Sequence, residues 1–321
     1  LKLAGFDTEG LDEDTASEVE GTLDMLTSIV STMAYSRTAE SADEYDKVLI
    51  ENAIKECYKL KKQATKIDDI AEFLDKIEEF YKVRDAGKGV EYNFHKYEES
   101  IKRAHFLCES LQKYTSNGEY GKYFNGKTNI DLSNRLVVVE LNNLPEDLRK
   151  VAVLAFCSIM ADEIYQGDQK PTIIGLDEAW QTLNENKAAV KFTEGASRKI
   201  RKHNGGIGVI TQSVFDLSSE GTLRFIGPVL LTQSAFHFIL PDDKFKSCAQ
   251  EGLVEMSEFQ ESYYFDKLVG TKDVQFKFSE FLVRQGNRYA AMRLVVDPYT
   301  YLINSSDPND RKYISLLADE Y

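Results

Sequence analysis

Pro171-Thr-Ile-Ile-Gly-Leu-Asp-Glu-Ala-Trp180 decides how the chain is read. Apolar and small residues run without interruption into two adjacent carboxylates, followed by Ala179 and the single tryptophan. A short continuous apolar run bounded in this way reads as a strand buried on both faces, as in a parallel sheet covered by helices. In such sheets ligands sit just beyond the carboxyl ends of the strands, where Asp177 and Glu178 fall.

Working outward, the same alternation recurs on both sides. Leu136-Val-Val-Val-Glu-Leu141 reads as a buried strand, and Pro145 opens a helix whose apolar face is Leu148, Val151, Leu154, Ala155 and Ile159. After the strand at 172–176, a helix over 188–203 turns Ala188, Phe192, Ala196 and Ile200 inward, and Asn204-Gly205-Gly206 stops it. Ile207-Gly-Val-Ile210 is the next strand, ending in Thr211-Gln212-Ser213. Strand, helix, strand, helix, strand predicts right-handed crossovers and a mostly parallel sheet. If the last two strands are adjacent, Asp177, Glu178, Thr211 and Gln212 open into one crevice.

The chemistry of that crevice follows from residue type. Asp then Glu at a strand end is the Walker B arrangement: Asp177 holds Mg²⁺ through its water shell, and Glu178 polarises an attacking water. The bland alternative is an acidic strand end that caps the next helix. Gln212 can orient a water or sense a terminal phosphate, because its amide both donates and accepts; otherwise it is an amide bonded to a loop. Arg198-Lys199-Ile-Arg201-Lys202-His203 closes the intervening helix. These cations either complement the negative helix end or supply a trans-acting arginine finger, Arg201 first and Arg198 second.

The first 115 residues carry amphipathic stripes and no visible chemistry. Val19, Leu23, Leu26, Val30 and Met33 mark one helix, and 44–61 a second. Thr65-Lys-Ile-Asp68 resembles a capping box ahead of Ile67, Ile70, Leu74, Ile77 and Tyr81, and a long helix runs from Val90 to Leu111. His95 and His105 are ordinary helix residues, since no second ligand has matching spacing. Gly121-Lys-Tyr-Phe-Asn-Gly126-Lys127-Thr128 matches G-x-x-x-x-G-K-[ST] to the letter. A phosphate cradle must leave a buried strand and enter a helix. Here Lys113–Tyr120 reads as helix end and turn, so the segment is expected to be a turn whose aromatics pack the helical part onto the sheet.

Beyond the core, Gly227–Thr232 and Ala235–Leu240 read as strands, with His237 on a strand face. Helices are expected over 244–250, 257–267 and 308–320. Alternating runs at 274–284 and 288–296, separated by Gln-Gly-Asn, form a hairpin.

Composition narrows the function. Across 321 residues, 53 Asp and Glu outweigh 39 Lys and Arg, a formal charge of −14, which argues against a broad nucleic-acid surface. Hydrophobic content of 42% supplies cores for two domains, here 1–117 (helical) and 118–321 (α/β). Cys57, Cys108, Cys157 and Cys248 lack metal-ligand spacing and read as buried thiols of a reducing compartment. No run has the roughly 20 apolar residues of a membrane span, and no signal-peptide pattern opens the chain, so a cytoplasmic location is expected.

Leu176-Asp-Glu-Ala-Trp180, Ile200-Arg-Lys-His-Asn204 and Ile210-Thr-Gln-Ser213 together resemble the C-terminal ATPase domain of the type IV secretion and conjugative-transfer ATPases, TraC-type members above all. Gly118–Gly126 resembles the segment that follows the family's helical insert, and Tyr289–Ser306 its closing strands. The resemblance spans nearly the whole chain. It implies a RecA-like, three-layer, mostly parallel P-loop NTPase sheet behind an all-helical subdomain, with ATP and Mg²⁺ as ligands. It further implies a motor energising pilus assembly and conjugative DNA transfer, working as a homo-oligomer, a hexamer in the parent. Other secretion subunits would be its partners on the cytoplasmic face of the inner membrane. In this family the true Walker A lies upstream of the helical insert. This stretch is therefore expected to be idle alone, with turnover belonging to the parent protein. Two alternatives remain: a DNA-translocating motor of the FtsK or HerA kind, which shares the Asp-Glu signature, and a non-catalytic docking module of the secretion apparatus.

Overall fold

A computed structural model of the chain describes residues 13–38, 41–126, 134–141, 143–166, 170–178, 187–212, 223–240, 257, 268, 278–305 and 307–319. Two compact units result: Leu1–Leu176 with Gln181–Gly208, and Asp177–Trp180 with Val209–Tyr321.

The first unit is built around helices. α1 (Glu13–Tyr35), α2 (Glu44–Lys61), α3 (Ile67–Asp75), α4 (Ile77–Gly87) and α5 (Phe94–Leu111) bury most of the faces their spacing predicts, but α5 opens at Phe94 and not at Val90, and both of those residues are exposed. α1 packs on α2 and α5, and α3 on α2 and α5. Met33, Ile50, Leu74, Ile77, Leu107, Leu111 and Tyr114 form its fully buried centre. α2 begins on Asp43, whose carboxylate accepts from Asp46 N–H at 2.9 Å, satisfying one orphan donor of the first turn. The run expected to continue through 67–81 is split at Lys76, and the capping pair is shifted by one residue. Asp69 accepts from Lys66 N–H at 2.8 Å, while Thr65 Oγ1 donates to Lys62 O at 2.7 Å.

The literal phosphate-loop match is part of this helical packing. A 3-10 turn (Gln112–Tyr114) precedes it, not a strand, and Gly121–Phe124 is a four-residue helix, α6. A Cβ at Gly121 would lie 2.0 Å from Thr115 O, so the glycine serves a close backbone approach. Phe124 meets Tyr114 edge-on at 5.6 Å, and Asn125 Oδ1 accepts from Ile67 N–H at 3.0 Å. The aromatics pack within the helical part; Lys127 and Thr128 lie outside the described residues.

α7 (Glu146–Gln166) continues the unit and packs on α1. Its first turn carries Asp147, which gathers Lys113 Nζ and Arg37 Nε at 3.3 Å each and Tyr120 OH at 3.2 Å. Burial pushes the Asp147 carboxyl upward, but hydrogen bonds from Lys113, Arg37 and Tyr120 more than offset this and hold it below the usual range. Lys113 also donates to Ser36 Oγ at 2.7 Å, which accepts from the buried Tyr114 hydroxyl at 3.1 Å. This joint ties three helical segments together through one carboxylate.

The strand expected at 136–141 does not form. Leu136–Leu141 has no regular structure, and Leu136 and Val138 are each 81% exposed. A strand exists through a partner's hydrogen bonds, and no described strand pairs with this run. β1 (Thr172–Leu176) and β2 (Gly205–Val209) do pair, as a two-stranded parallel sheet. Between them α8 (Lys187–Lys199) packs on α7 and ends in a 3-10 turn (Ile200–His203). Asn204, at φ +57°, then takes the left-handed conformation that this residue tolerates well.

In the second unit, Gly227–Thr232 is helical instead of the expected strand. It lies inside α9 (Leu223–Gln233), with Thr232 Oγ1 donating back to Pro228 O at 2.8 Å. A four- to six-residue apolar run has no periodicity that separates a strand from a buried helix. β3 (His237–Ile239), β4 (Ser279–Gln285) and β5 (Arg288–Leu294) form an antiparallel sheet in the order β3-β4-β5. Registers His237↔Arg284 and Gln285↔Arg288 fix the hairpin across Gly286-Asn287, with Gly286 at φ +58°. The predicted closing strands end at Leu294. Asp297 caps α10 (Pro298–Asn304), accepting from Tyr299 and Thr300 N–H at 3.1 and 3.0 Å. α11 (Pro308–Asp319) follows as expected. The helix expected over 244–250, and all of 257–267 except Ser257, lie outside the described residues.

Candidate functional site

The site is built by two strand ends. β1 carries the chain up to Leu176 and delivers Asp177 and Glu178 directly after its last residue. β2 ends at Val209 and delivers Thr211 and Gln212 two and three residues later. Ile174 is the buried residue of β1 and Gly175 leaves open space, so the strand is anchored in mid-span while its end faces outward.

At that end the backbone turns sharply. Glu178 adopts φ +46°, a left-handed conformation that costs a non-glycine residue roughly 1–2 kcal/mol. The turn is held by its neighbour, since Asp177 Oδ1 accepts from Glu178 N–H at 3.0 Å. Across the gap, Gln212 Nε2 donates to Glu178 Oε1 at 3.1 Å. The expected convergence of the two strand ends is thus present as a direct contact between Glu178 and Gln212. Asp177 and Gln212 are exposed, while Glu178 and Thr211 are half-buried. These four belong to the second unit, and the two arginines to the first.

Arg198 lies near the end of α8 and pairs with Glu194 at 2.7 Å, an exposed one-turn ion pair. Arg201 is exposed in the 3-10 turn that follows. Both cations sit at a helix C-terminus, as the dipole reading requires. His237 is a strand-face histidine whose Nε2 lies 3.0 Å from Leu231 O; burial lowers its pKa and Arg284 lowers it further. Burial raises all three described thiols, Cys57 to about 11 and Cys157 to about 12, so they are inert packing groups. No group of three or more metal-binding side chains occurs among the described residues. Nor is any described helix long and apolar enough to cross a membrane.

Sequence reasoning missed two features. The left-handed turn at Glu178 has no signature, since glutamate is not a turn residue of that type. The Asp147 joint depends on partners 27 to 110 positions away, beyond the reach of any local pattern.

The TraG P-loop domain family matches residues 11–321. The chain belongs to that family. It is therefore a member of the type IV secretion and conjugative-transfer ATPase family that its motifs resemble. Protein TraC of Escherichia coli (strain K12) is 25% identical over 287 residues, covering 85% of this chain and 30% of TraC. The chain thus spans about a third of that relative's length. The solved structure of VirB4 of Thermoanaerobacter pseudethanolicus aligns with a TM-score of 0.61 at 20% identity, over 86% of this chain and 69% of the VirB4 chain. That likeness shows a shared α/β fold, with helices around a parallel sheet.

Proposed function

We propose that this chain carries the hydrolytic half of an ATP-driven motor that energises type IV secretion and conjugative DNA transfer. The observation that supports the reading most directly is the Gln212–Glu178 hydrogen bond beside Asp177, at the ends of adjacent parallel strands. Open α/β sheets bind ligands there. Family membership supports a nucleoside triphosphate as the substrate class. The donor set fits Mg²⁺, which prefers one or two carboxylates plus waters and phosphates to a full protein cage.

In this reading Asp177 would hold Mg²⁺ through its water shell, and the bound ion would supply charge neutralisation at the phosphates. Glu178 would accept the proton of the attacking water, and Thr211 and Gln212 would contact the terminal phosphate. Arg201, or Arg198 one turn earlier, reaches the site of a neighbouring copy. That role requires a homo-oligomer, which we take to be a hexamer at the cytoplasmic face of the inner membrane, among other secretion subunits. We further propose that the full sheet is RecA-like and three-layered, and that a domain boundary near residue 117 separates it from the helical part.

Glu178→Gln, made in the full-length protein that carries this chain, tests the central assignment. The amide keeps the shape and loses the base, so turnover should fall about 10²–10⁴-fold while nucleotide stays bound. Phosphate release and binding of a fluorescent ATP analogue read the two quantities separately. Hydrolysis at the wild-type rate in that variant would remove Glu178 from the role of base.

A further inference from the structure

We propose that the α2–α3 connection and α6 together form a docking surface for an acidic segment of a partner protein, one that sets an apolar side chain among its carboxylates. The surface is separate from the strand ends of β1 and β2 and does not depend on the hydrolytic reading. Lys59-Leu-Lys-Lys-Gln-Ala-Thr-Lys66 carries four lysines and no acid, in a chain whose formal charge is −14. Lys59 and Lys61 are matched, by Glu56 at 2.7 Å and by Asp69 at 2.5 Å. Lys62 and Lys66 are exposed and make no ion pair among the described residues. Leu60, in the same run, is 83% exposed.

The fold adds a second piece to this run. Asp69 accepts from Lys61 Nζ through one oxygen and from Lys66 N–H through the other, which folds the connection back on itself. Asn125 Oδ1 accepts from Ile67 N–H at 3.0 Å, and the Asp68 carboxylate accepts from Ser116 N–H and Ser116 Oγ at 2.8 Å each. These bonds fix the segment around α6 against the start of α3. Lys122 and Tyr123, within one turn of Asn125, are thereby brought to the same end of α3 as Lys66. Lys122 is exposed, makes no ion pair among the described residues, and lies 4.8 Å from the centre of the Tyr123 ring. Tyr123 itself is 58% exposed. Lys62 caps α2 at φ +49°, where glycine would sit without strain. A side chain kept at a strained position points to a use for it.

Charge and apolar exposure together choose the occupant. A phosphate backbone or an anionic bilayer presents a continuous field, which meets Glu56, Asp68 and Asp69 along with the lysines. A short acidic segment addresses Lys62, Lys66 and Lys122 singly, and its apolar side chain covers Leu60 and Tyr123. The bonds from Asp68 and Asn125 hold the surface in place beforehand, so docking orders little of this chain.

The test is fluorescence anisotropy of a labelled peptide of repeated Glu-Glu-Leu, titrated with the full-length protein that carries this chain. Lys62→Glu/Lys66→Glu should weaken binding about tenfold or more, and Leu60→Ser about threefold or more. The control Lys47→Glu/Lys102→Glu, at the other end of α2 and on α5, should stay within about twofold. Far-ultraviolet circular dichroism should be unchanged in all three, because the substitutions are at surface positions. Added salt should weaken the wild-type complex more than that of Lys62→Glu/Lys66→Glu. Absence of wild-type binding up to about 1 mM overturns the proposal, as does equal affinity of wild type and Lys62→Glu/Lys66→Glu. Equal weakening by the control overturns it too, by reducing the effect to net charge. So does a peptide of repeated Glu-Glu-Ser that binds as tightly, since the apolar part then contributes nothing. Tighter binding of oligodeoxythymidine or of phosphatidylglycerol vesicles to the same lysines would assign the patch to phosphate and remove the acidic segment. None of these outcomes involves Glu178→Gln, so failure here leaves the assignment of the base untouched.

Discussion

In the helical part, Leu74, Leu107, Leu111 and Tyr114 are fully buried. In β1 the sequence is just as apolar, yet Ile173 is 85% exposed beside the buried Ile174. The helical stripes are covered by the other helices of the bundle, α1 and α3 on α2 and α5, so the bundle closes on itself. A strand finds partners only across the sheet, and β1 has β2 as its one described neighbour. Composition alone does not distinguish the two cases. What separates them is whether neighbouring elements cover the apolar face. The site belongs to the second kind, at the ends of β1 and β2 where Gln212 meets Glu178.

Truncating one residue of each kind tests the difference between the two regions most directly. Leu107→Ala should cost about 2–5 kcal/mol, since it opens a cavity in a packed helical centre. Ile173→Ala should stay within about 0.5 kcal/mol, as exposed substitutions do. Urea unfolding followed by far-ultraviolet circular dichroism measures both. A loss at Ile173 comparable to that at Leu107 would mean that the β1 face is covered in solution, and the contrast would fall.

A smaller effect is expected at the Asp147 joint of the helical part. Asp147→Ala should cost about 1–3 kcal/mol near neutral pH, mostly through Lys113, which it leaves half-paired at a largely buried position. The exposed Arg37 arm adds little. The sign of the pH dependence follows from the depressed Asp147 carboxyl. Its contribution is complete above the unfolded value of about 3.9 and is lost as pH falls through the lower folded value. The gap between wild type and Asp147→Ala should therefore narrow below about pH 4. Lys113, whose own pKa is lowered by burial, titrates at the alkaline end and does not enter that window. A gap that stays constant from pH 7 to pH 3 would rule out the ionised carboxylate as its source.

How much of this was legible in the residues follows the same division. α2 spans 44–61 and β1 spans 172–176 as their patterns predict, because capping and apolar run length are local signals. The hairpin at Gly286-Asn287 was legible for the same reason, through a turn residue that requires positive φ. Leu136–Leu141 and Gly227–Thr232 were not, since nothing inside six apolar residues states whether a partner strand will be there. The candidate site was legible in residue identity and in the pairing of two strand ends. Its internal geometry was not: the left-handed Glu178 and the direction of the Gln212 amide depend on contacts across the fold.

The smallest expected effect concerns the one motif whose letters and surroundings disagree. Gly121–Thr128 satisfies the phosphate-loop pattern, yet it follows a 3-10 turn and opens into a four-residue helix packed on Tyr114. A phosphate cradle needs consecutive backbone N–H groups turned toward one point at a helix N-terminus. Here Gly121 N–H donates to Gly118 O at 3.2 Å, Tyr123 N–H to Tyr120 O at 3.0 Å, and Asn125 N–H to Gly121 O at 2.9 Å. Those donors are spent on the turn itself. Lys127→Ala in the full-length protein should accordingly leave nucleotide affinity within about twofold, read by titration with a fluorescent ATP analogue. The lysine of a working phosphate loop contacts the β- and γ-phosphates directly, and its loss would weaken binding far beyond that. A drop of tenfold or more would return phosphate binding to this segment and take it away from the contrast drawn above.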